Sequence, residues 1–403
     1  MAESKLDIII TQDKGRCFVV NQHVSQGEIV FICQPYGIVP FVITKDFICA
    51  NCICIPKERT SSNKMIECRQ KCHHTFYCSD QCEQHDWDKF HKYECSFLDK
   101  IFEIGFTNYI LTYTRQIMRM LTLRFYEIMN KSCVSKFEDV WKLCSNYEKF
   151  TMKTKDEYEA VAKILTEYVL TQLVPHLTSG DMDFTRMVYS FLPDRADVEK
   201  LSINVSNSWI NTMTHTYSIS SDACKQLLFK IYILICIEEI NSFFLTTFLF
   251  DGWTQSCSKY AVAVYPQASF FNHSCSPNLG RFFIEKDGDT FRTGDIVFFA
   301  MRSLEKGEEA CITYTNLEPE LYIQELVDTS EIIKSQAKRN ERLKEIFLFD
   351  CNCVRCINES KGILDSSFVT LVKEFKCSKT DCTGWLIPTV DDCKICEACG
   401  SSP

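Results

Sequence analysis

Cysteine placement constrains this chain more than any other feature. Of 25 cysteines in 403 residues, eight fall in residues 49–95 and eight more in 351–399. Thiols at this density make either a disulfide scaffold or metal sites. The N-terminus, MAESKLDIII, has no signal-peptide apolar core and no cleavage site. A reducing location, nucleus and/or cytoplasm, is therefore expected, and disulfide scaffolds do not persist there. The clusters read as zinc sites.

The first cluster runs Cys49-x2-Cys52, Cys68-x3-Cys72, Cys78-x3-Cys82 and His91-x3-Cys95. Four pairs give ligands for two tetrahedral sites, and fully protein-ligated zinc is structural. The segment has few aliphatic residues, so metal must supply its folding energy. Cys54, His73, His74 and His85 fall off the pattern and read as non-ligands. Lys64, Arg69, Lys71, Lys89 and Lys92 read as a solvated basic face.

In the second stretch Cys351, Cys353 and Cys356 form a knuckle that needs a fourth thiolate. Cys275, inside Phe271-Asn-His-Ser-Cys-Ser-Pro-Asn278, is the natural candidate, and such a site would tie the C-terminal segment onto the Asn-His turn. Cys377-x4-Cys382 with Cys396-x2-Cys399 is another four-thiolate set, with Cys393 spare and Gly384 and Gly400 at knuckle turns, and it reads as a zinc ribbon. The remaining cysteines read as core residues.

At 46% hydrophobic and 24% charged residues, the chain buries a sizeable core in two or three domains. A net charge of −9 and the lack of a basic helix argue against nucleic acid as the main partner. Apolar runs such as Ile231–Ile237 are too short to span a membrane. A monomer is expected. Phe18-Val-Val and Glu28–Cys33 read as strands, as do Tyr260–Tyr265, Arg281–Ile284, Asp295–Ala300 and Ala310–Tyr314. Helical spacing links Tyr158 to Leu173, links Leu227 to Ile240 behind a capping Ser221-Asp222, and marks residues 319–348.

The first cluster resembles a MYND zinc finger through Tyr77-Cys-Ser-x2-Cys82, Trp87 and the His91–Cys95 ending. That resemblance implies interleaved ligands, with Cys49, Cys52, Cys78 and Cys82 on one zinc and Cys68, Cys72, His91 and Cys95 on the other. It also implies that the finger binds protein partners. Cys68-x3-Cys72 and Trp87-x3-His91 are each one residue longer than the usual pattern. Asn272-His-Ser-Cys-x-Pro-Asn278, Gly307-Glu308-Glu309 to Tyr314, and Phe349-Asp-Cys-Asn-Cys-x2-Cys356 resemble a SET domain. Together the chain is similar to the SET-and-MYND (SMYD-type) protein-lysine methyltransferase family.

The implied fold is α+β: a SET-domain β core with a threaded C-terminal strand (a pseudoknot), split by the finger and a helical block, with Cys-rich post-SET and C-terminal segments. The implied layout is 1–48 as the N-terminal part of the SET domain, 49–95 as the finger, 96–240 as a helical insert and 241–318 as the core SET domain. Residues 319–357 would be a helix and post-SET knuckle, and 358–403 a C-terminal segment with the zinc ribbon. The implied reaction moves a methyl group from S-adenosyl-L-methionine to a lysine ε-amine of a protein substrate. Asn272 and His273 would bind the cofactor, Lys14 and Arg16 would flank its methionine end, and Asn146 and Ser269 would stand nearby. Leu143–Asn146 resembles the family's cofactor-facing helix. Phe349 would stack on the adenine, and Tyr314 would hold the reacting centre. Phe270, Phe271 and Phe347 are candidate channel walls.

Such a displacement needs a neutral amine, alignment and exclusion of water rather than a strong base. Free lysine titrates near ~10.4, and an apolar channel favours its neutral form. Two positions depart from the family. Cys17 stands where a second turn glycine is usual, and Phe347 where many members carry tyrosine. The competing reading is a catalytically weak adaptor that binds protein partners through the finger.

Overall fold

The structure, a computed structural model, describes residues 4–402 apart from 55–64, 131–135, 178–182, 202–204, 248–257, 285–291, 316–321, 323–327, 383, 389–393 and 397–398. Lys64, Cys393 and part of the 319–348 helical pattern lie outside the described residues. The chain forms two compact units, one of Met1–Gln34, Thr246–Ser258 and Gln267–Pro403, the other of Pro35–Leu245 and Lys259–Pro266. Every described cysteine is free, and no described helix is long and apolar enough to cross a membrane.

The first unit opens with a hairpin, β1 (Leu6–Thr11) against β2 (Gly15–Val20). Its turn uses Gly15 at φ +72°, a conformation glycine adopts without a Cβ penalty. Cys17, in extended backbone on β2, is buried. The missing second glycine therefore costs nothing at this turn. β3 (Ile29–Cys33) follows.

The second unit begins with β4 (Tyr36–Pro40). The finger supplies β5 (Ile66–Glu67), β6 (Phe76–Tyr77) and α1 (Asp80–Asp86), whose N-terminus is capped by the Ser79 hydroxyl. Then come α2 (Lys92–Glu103), α3 (Asn108–Met129), α4 (Phe137–Trp141), α5 (Met152–Tyr168), α6 (Phe184–Phe191), α7 (Asn207–Tyr217) and α8 (Ser221–Asn241). β7 (Ser242–Thr247) and β8 (Ser258–Val264) complete a sheet ordered β4-β8-β7. Gly37 lets β4 lie against α3, because a Cβ there would sit 2.8 Å from Met120 Cγ.

Finger and helical block belong to one unit, and buried charge joins them. Arg119 of α3 bonds Asp86 at 2.6 Å and Glu94 at 2.7 Å, and Tyr77 donates to Asp86 at 2.8 Å. Burial pushes the Asp86 carboxyl up, but the Arg119 charge overrides this and holds it below the usual range. Two local expectations need correction. Ser220, not Ser221, caps α8, its hydroxyl accepting from the Ala223 N–H. Leu143–Asn146 is not helical, because Arg195 takes the carbonyls of Trp141 and Leu143 and turns the chain out of α4.

Back in the first unit, β9 (Asn272–His273), β10 (Leu279–Phe283), β11 (Ile296–Ala300) and β12 (Cys311–Ile312) build the core. The Ala310–Tyr314 strand is thus shorter than expected. One sheet runs β10-β11-β3, and β9 pairs with β12 in parallel. Phe271 is fully buried among Phe18, Phe31 and Phe298, with ring centroids 4.8, 5.9 and 4.5 Å away. It is core rather than channel wall. Then follow α9 (Thr329–Phe347), α10 (Val354–Glu359), α11 (Ser366–Phe375), β13 (Leu386–Pro388) and β14 (Lys394–Cys396).

Candidate active site

The parallel pairing of β9 with β12 creates the site. Asn272 faces Cys311 and His273 faces Ile312 in register, and the Ser274 N–H reaches the Ile312 carbonyl at 2.9 Å. Gly307 at φ +92° turns the preceding loop so that Glu308–Ala310 run beside β2, with Val20 N–H on the Glu308 carbonyl and Ala310 N–H on the Phe18 carbonyl. Asn278 locks the turn, donating to the Glu309 carbonyl and accepting from Cys311 N–H, both at 2.8 Å.

Tyr314 is held at both ends. Its backbone N–H donates to His273 Nδ1 at 3.0 Å, and its hydroxyl donates to the Phe271 carbonyl at 2.8 Å. His273 Nδ1 is thus an acceptor, which puts the ring proton of a neutral imidazole on Nε2, 3.2 Å from Cys275 Sγ. The imidazole joins the tyrosine to the thiolate cluster. α9 stops at Leu348, which takes φ +63°. The residues on either side, Phe347 and Phe349, both reach Tyr314, at centroid distances of 4.9 and 6.2 Å, the second edge-to-face. Phe349 also lies 6.0 Å from His273. All three aromatic rings are half-buried.

The N-terminal hairpin delivers two more of the expected residues. Lys14 Nζ pairs with Glu309 at 2.6 Å, and Asn272 donates to the other oxygen of that carboxylate at 3.0 Å. Partial burial pushes the Lys14 ammonium down, and Glu309 more than offsets it, so the net shift is upward. Arg16 lies over the Phe270 ring at 4.4 Å. Ser269 is half-buried in the turn Ala268–Phe270 that leads into β9. Asn146 belongs to the other unit, where it takes φ +44° ahead of the turn Tyr147–Lys149. Glu309 was not anticipated as a site residue. The signal for it was its place in Gly307-Glu308-Glu309, but its two partners come from distant positions in the chain.

Four ligand quartets assemble: Cys49/Cys52/Cys78/Cys82, Cys68/Cys72/His91/Cys95, Cys275/Cys351/Cys353/Cys356 and Cys377/Cys382/Cys396/Cys399, each with donor atoms within 4.8 Å of one another. Tetrahedral zinc with Zn–S near 2.3 Å sets its sulfurs about 3.8 Å apart. The pairs Cys52–Cys78, Cys68–Cys95 and Cys275–Cys356 stand at 3.6, 3.8 and 3.5 Å. The donor sets fit zinc. Arg115 lies near the second quartet: it is buried, its Nη1 has no hydrogen-bond partner among the described residues, and Glu94 and, after it, Cys72 are negative charges acting on it. Three thiolates and an imidazole around zinc would carry net negative charge and would add to the compensation that Glu94 gives this guanidinium. His73, His74 and His85 bond Glu67, Asp99 and Asn51 instead. Cys54 does lie beside the first quartet, its thiol in hydrogen-bond contact with Cys49, Cys52 and Cys78. Of the cysteines expected in the core, Cys17, Cys33, Cys224, Cys236 and Cys311 are buried and Cys144 is exposed.

A buried ion network backs the third quartet. Glu359 accepts from Arg339, from Arg355 at 2.8 Å and from Tyr322, and all four residues are buried. Arg355 also donates to the Cys275 carbonyl at 2.9 Å and lies 3.7 Å over the Phe368 ring. Cys351, Cys353 and Cys356 hydrogen-bond to Cys275 and hold its thiol down, and the same contacts push Cys351 and Cys356 up.

Comparison with known proteins agrees with this architecture. The family model described as "SET domain" matches residues 15–315. A SET and MYND domain-containing protein of Dictyostelium discoideum is 25% identical, over 94% of this chain and 88% of its own length. The histone-lysine N-methyltransferase ASHR1 of Arabidopsis thaliana is 21% identical over 96% of this chain and 62% of its length. The N-lysine methyltransferase SMYD2-A of Danio rerio is 23% identical over 87% of this chain and 60% of its length. With more than half of its length matched by that family model, the chain belongs to the SET-domain family, and its relatives include SET and MYND domain-containing proteins.

Proposed function

We propose that this protein is an S-adenosyl-L-methionine-dependent protein-lysine methyltransferase. The observation that carries the reading is Tyr314, fixed at its backbone by His273 and at its hydroxyl by the Phe271 carbonyl, and flanked by Phe347 and Phe349. When bound, S-adenosylmethionine supplies a methyl group made electrophilic by a sulfonium. The residues suit its parts: Lys14 offers a cation for a carboxylate, Glu309 an anion for an ammonium, and Phe349 an aromatic face for a purine. Asn272 and His273 supply the turn between these groups, and Arg16 and Ser269 border it.

Tyr314 does the orienting. Its proton is committed to Phe271, so the lone pairs of its oxygen accept a hydrogen bond from an incoming lysine amine. Phe347 beside it favours the neutral amine over the ammonium and keeps water off the reacting line. The quartet at Cys275 would hold zinc, which would fix α10 and Phe349 to the Asn-His turn. The two finger quartets would hold structural zinc, and the finger would recruit protein partners.

The test is transfer from S-adenosylmethionine carrying a labelled methyl group to a lysine-rich protein, followed by acid hydrolysis. Label recovered as methyl-lysine supports the reading. Label on another amino acid contradicts it. Glu309→Gln should raise KM for S-adenosylmethionine about 10-fold, the worth of one charge-assisted contact, and change kcat far less. Equal loss in both constants would assign Glu309 a different role. The adaptor reading is favoured by Phe347, which puts a ring without a hydroxyl against Tyr314. It predicts cofactor binding with no label transferred to any protein.

A further inference from the structure

The C-terminal segment contains a small folded element whose stability its own core cannot explain. β13 and β14 pair over three residues each, Leu386 opposite Cys396 and Pro388 opposite Lys394. An isolated two-stranded hairpin is marginal in water even when longer. Among the described residues the buried cluster beneath it is Cys377, Leu386 and Cys396, with Cys382 partly buried against them. Three of those four side chains are thiols.

The thiols are arranged for an ion. Cys382 and Cys396 stand 3.5 Å apart and Cys377 and Cys399 3.8 Å apart, within a quartet in which every sulfur lies within 4.8 Å of the others. The backbone supports them in the manner of a knuckle. Gly384 N–H points at Cys382 Sγ at 3.4 Å, Cys377 N–H bonds the Gly384 carbonyl at 3.1 Å, and Lys376 Nζ caps the carbonyls of Cys382 and Gly384. On the second arm Gly400 takes φ +66° and its N–H bonds the Cys396 carbonyl at 2.8 Å. The Ser401 hydroxyl lies 3.1 Å from Cys399 Sγ. Four sulfurs at mutual spacing, with outer-shell hydrogen bonds, are the donor set of a tetrahedral thiophilic metal.

We propose that Cys377, Cys382, Cys396 and Cys399 bind a zinc ion of their own, and that this zinc clamps the C-terminal segment to the SET sheet. The clamp acts through α11. Phe368, Leu371, Val372 and Phe375 of that helix pack against Phe299 and Met301 at the end of β11, and Trp385 of the ribbon packs on the same cluster. Lys376 and Trp385 bridge the two elements, and Lys394 of β14 lies 4.1 Å over the Phe375 ring. Cys399 is exposed and Cys382 half-buried, whereas every ligand of the second finger quartet is buried. A chelator therefore reaches the ribbon zinc before that one.

Native mass spectrometry and elemental analysis of the full chain test this. The wild-type protein should carry four zinc ions, one per quartet, and the double variant C396S/C399S three. Thiol alkylation mapped by peptide mass provides a readout that does not depend on the variant folding. In wild-type protein the four ribbon cysteines should react at least ~10-fold faster after brief chelation, ahead of Cys68, Cys72 and Cys95. Three zinc ions in the wild type with freely alkylated ribbon thiols would overturn the proposal, as would iron in the fourth place.

Discussion

Tyr314→Phe is expected to abolish methyl transfer, by about 100-fold or more, while leaving the protein folded and able to bind S-adenosylmethionine. The change removes one oxygen. The ring still packs on Phe347 and Phe349, and the backbone N–H still reaches His273. What disappears is the bond to the Phe271 carbonyl, worth about 1 kcal/mol of stability, and with it the acceptor that aligns the amine. Single-turnover rates with saturating cofactor, beside a melting curve and a binding isotherm, separate these effects. Unchanged turnover would remove Tyr314 from the chemistry, and lost binding would assign it to the cofactor instead.

Glu359→Ala should be the most destabilising single change in the SET unit. It removes the one carboxylate that accepts from Arg339, Arg355 and Tyr322 together, all of them buried. Breaking a buried pair in this way costs about 3–5 kcal/mol. In a unit of this size that lowers the melting temperature by about 10 °C. Because Arg355 also holds the Cys275 carbonyl, zinc should leave the third quartet at lower chelator concentration. Glu359→Gln should fall between wild type and Glu359→Ala, because it restores hydrogen bonds without charge. A variant that melts with the wild type would mean that zinc alone anchors α10.

The contrast between the Cys275 quartet and its backing network shows what could be read from sequence. Metal ligands announce themselves because coordination demands particular atoms at short spacing, so Cys351, Cys353 and Cys356 were legible as a set needing a fourth member. Tyr314, Asn272 and His273 were legible through motif resemblance. Arg119, Arg339, Arg355 and Glu359 were not, because a charged residue on a helix reads as solvated unless its distant partner is known. Arg355 and Glu359 are four apart, a spacing usually found on exposed helix faces. Glu309 was hidden for the same reason, since it joins Lys14 to Asn272 across most of the chain. Local errors were of another kind. The α8 cap lay one residue early, and the segment after α4 lost its helix to Arg195. Phe271, expected at the channel, was drawn into the core by Phe18 and Phe298.

Incubation with a cell extract and labelled S-adenosylmethionine, wild type beside Tyr314→Phe, bears most directly on the central claim. The account predicts that the wild type labels discrete proteins, that the label hydrolyses to methyl-lysine, and that the variant labels none of them. A wild-type protein that binds the cofactor and holds its zinc yet labels nothing across many extracts would contradict it, and would leave the finger of residues 49–95 as the functional part of the chain.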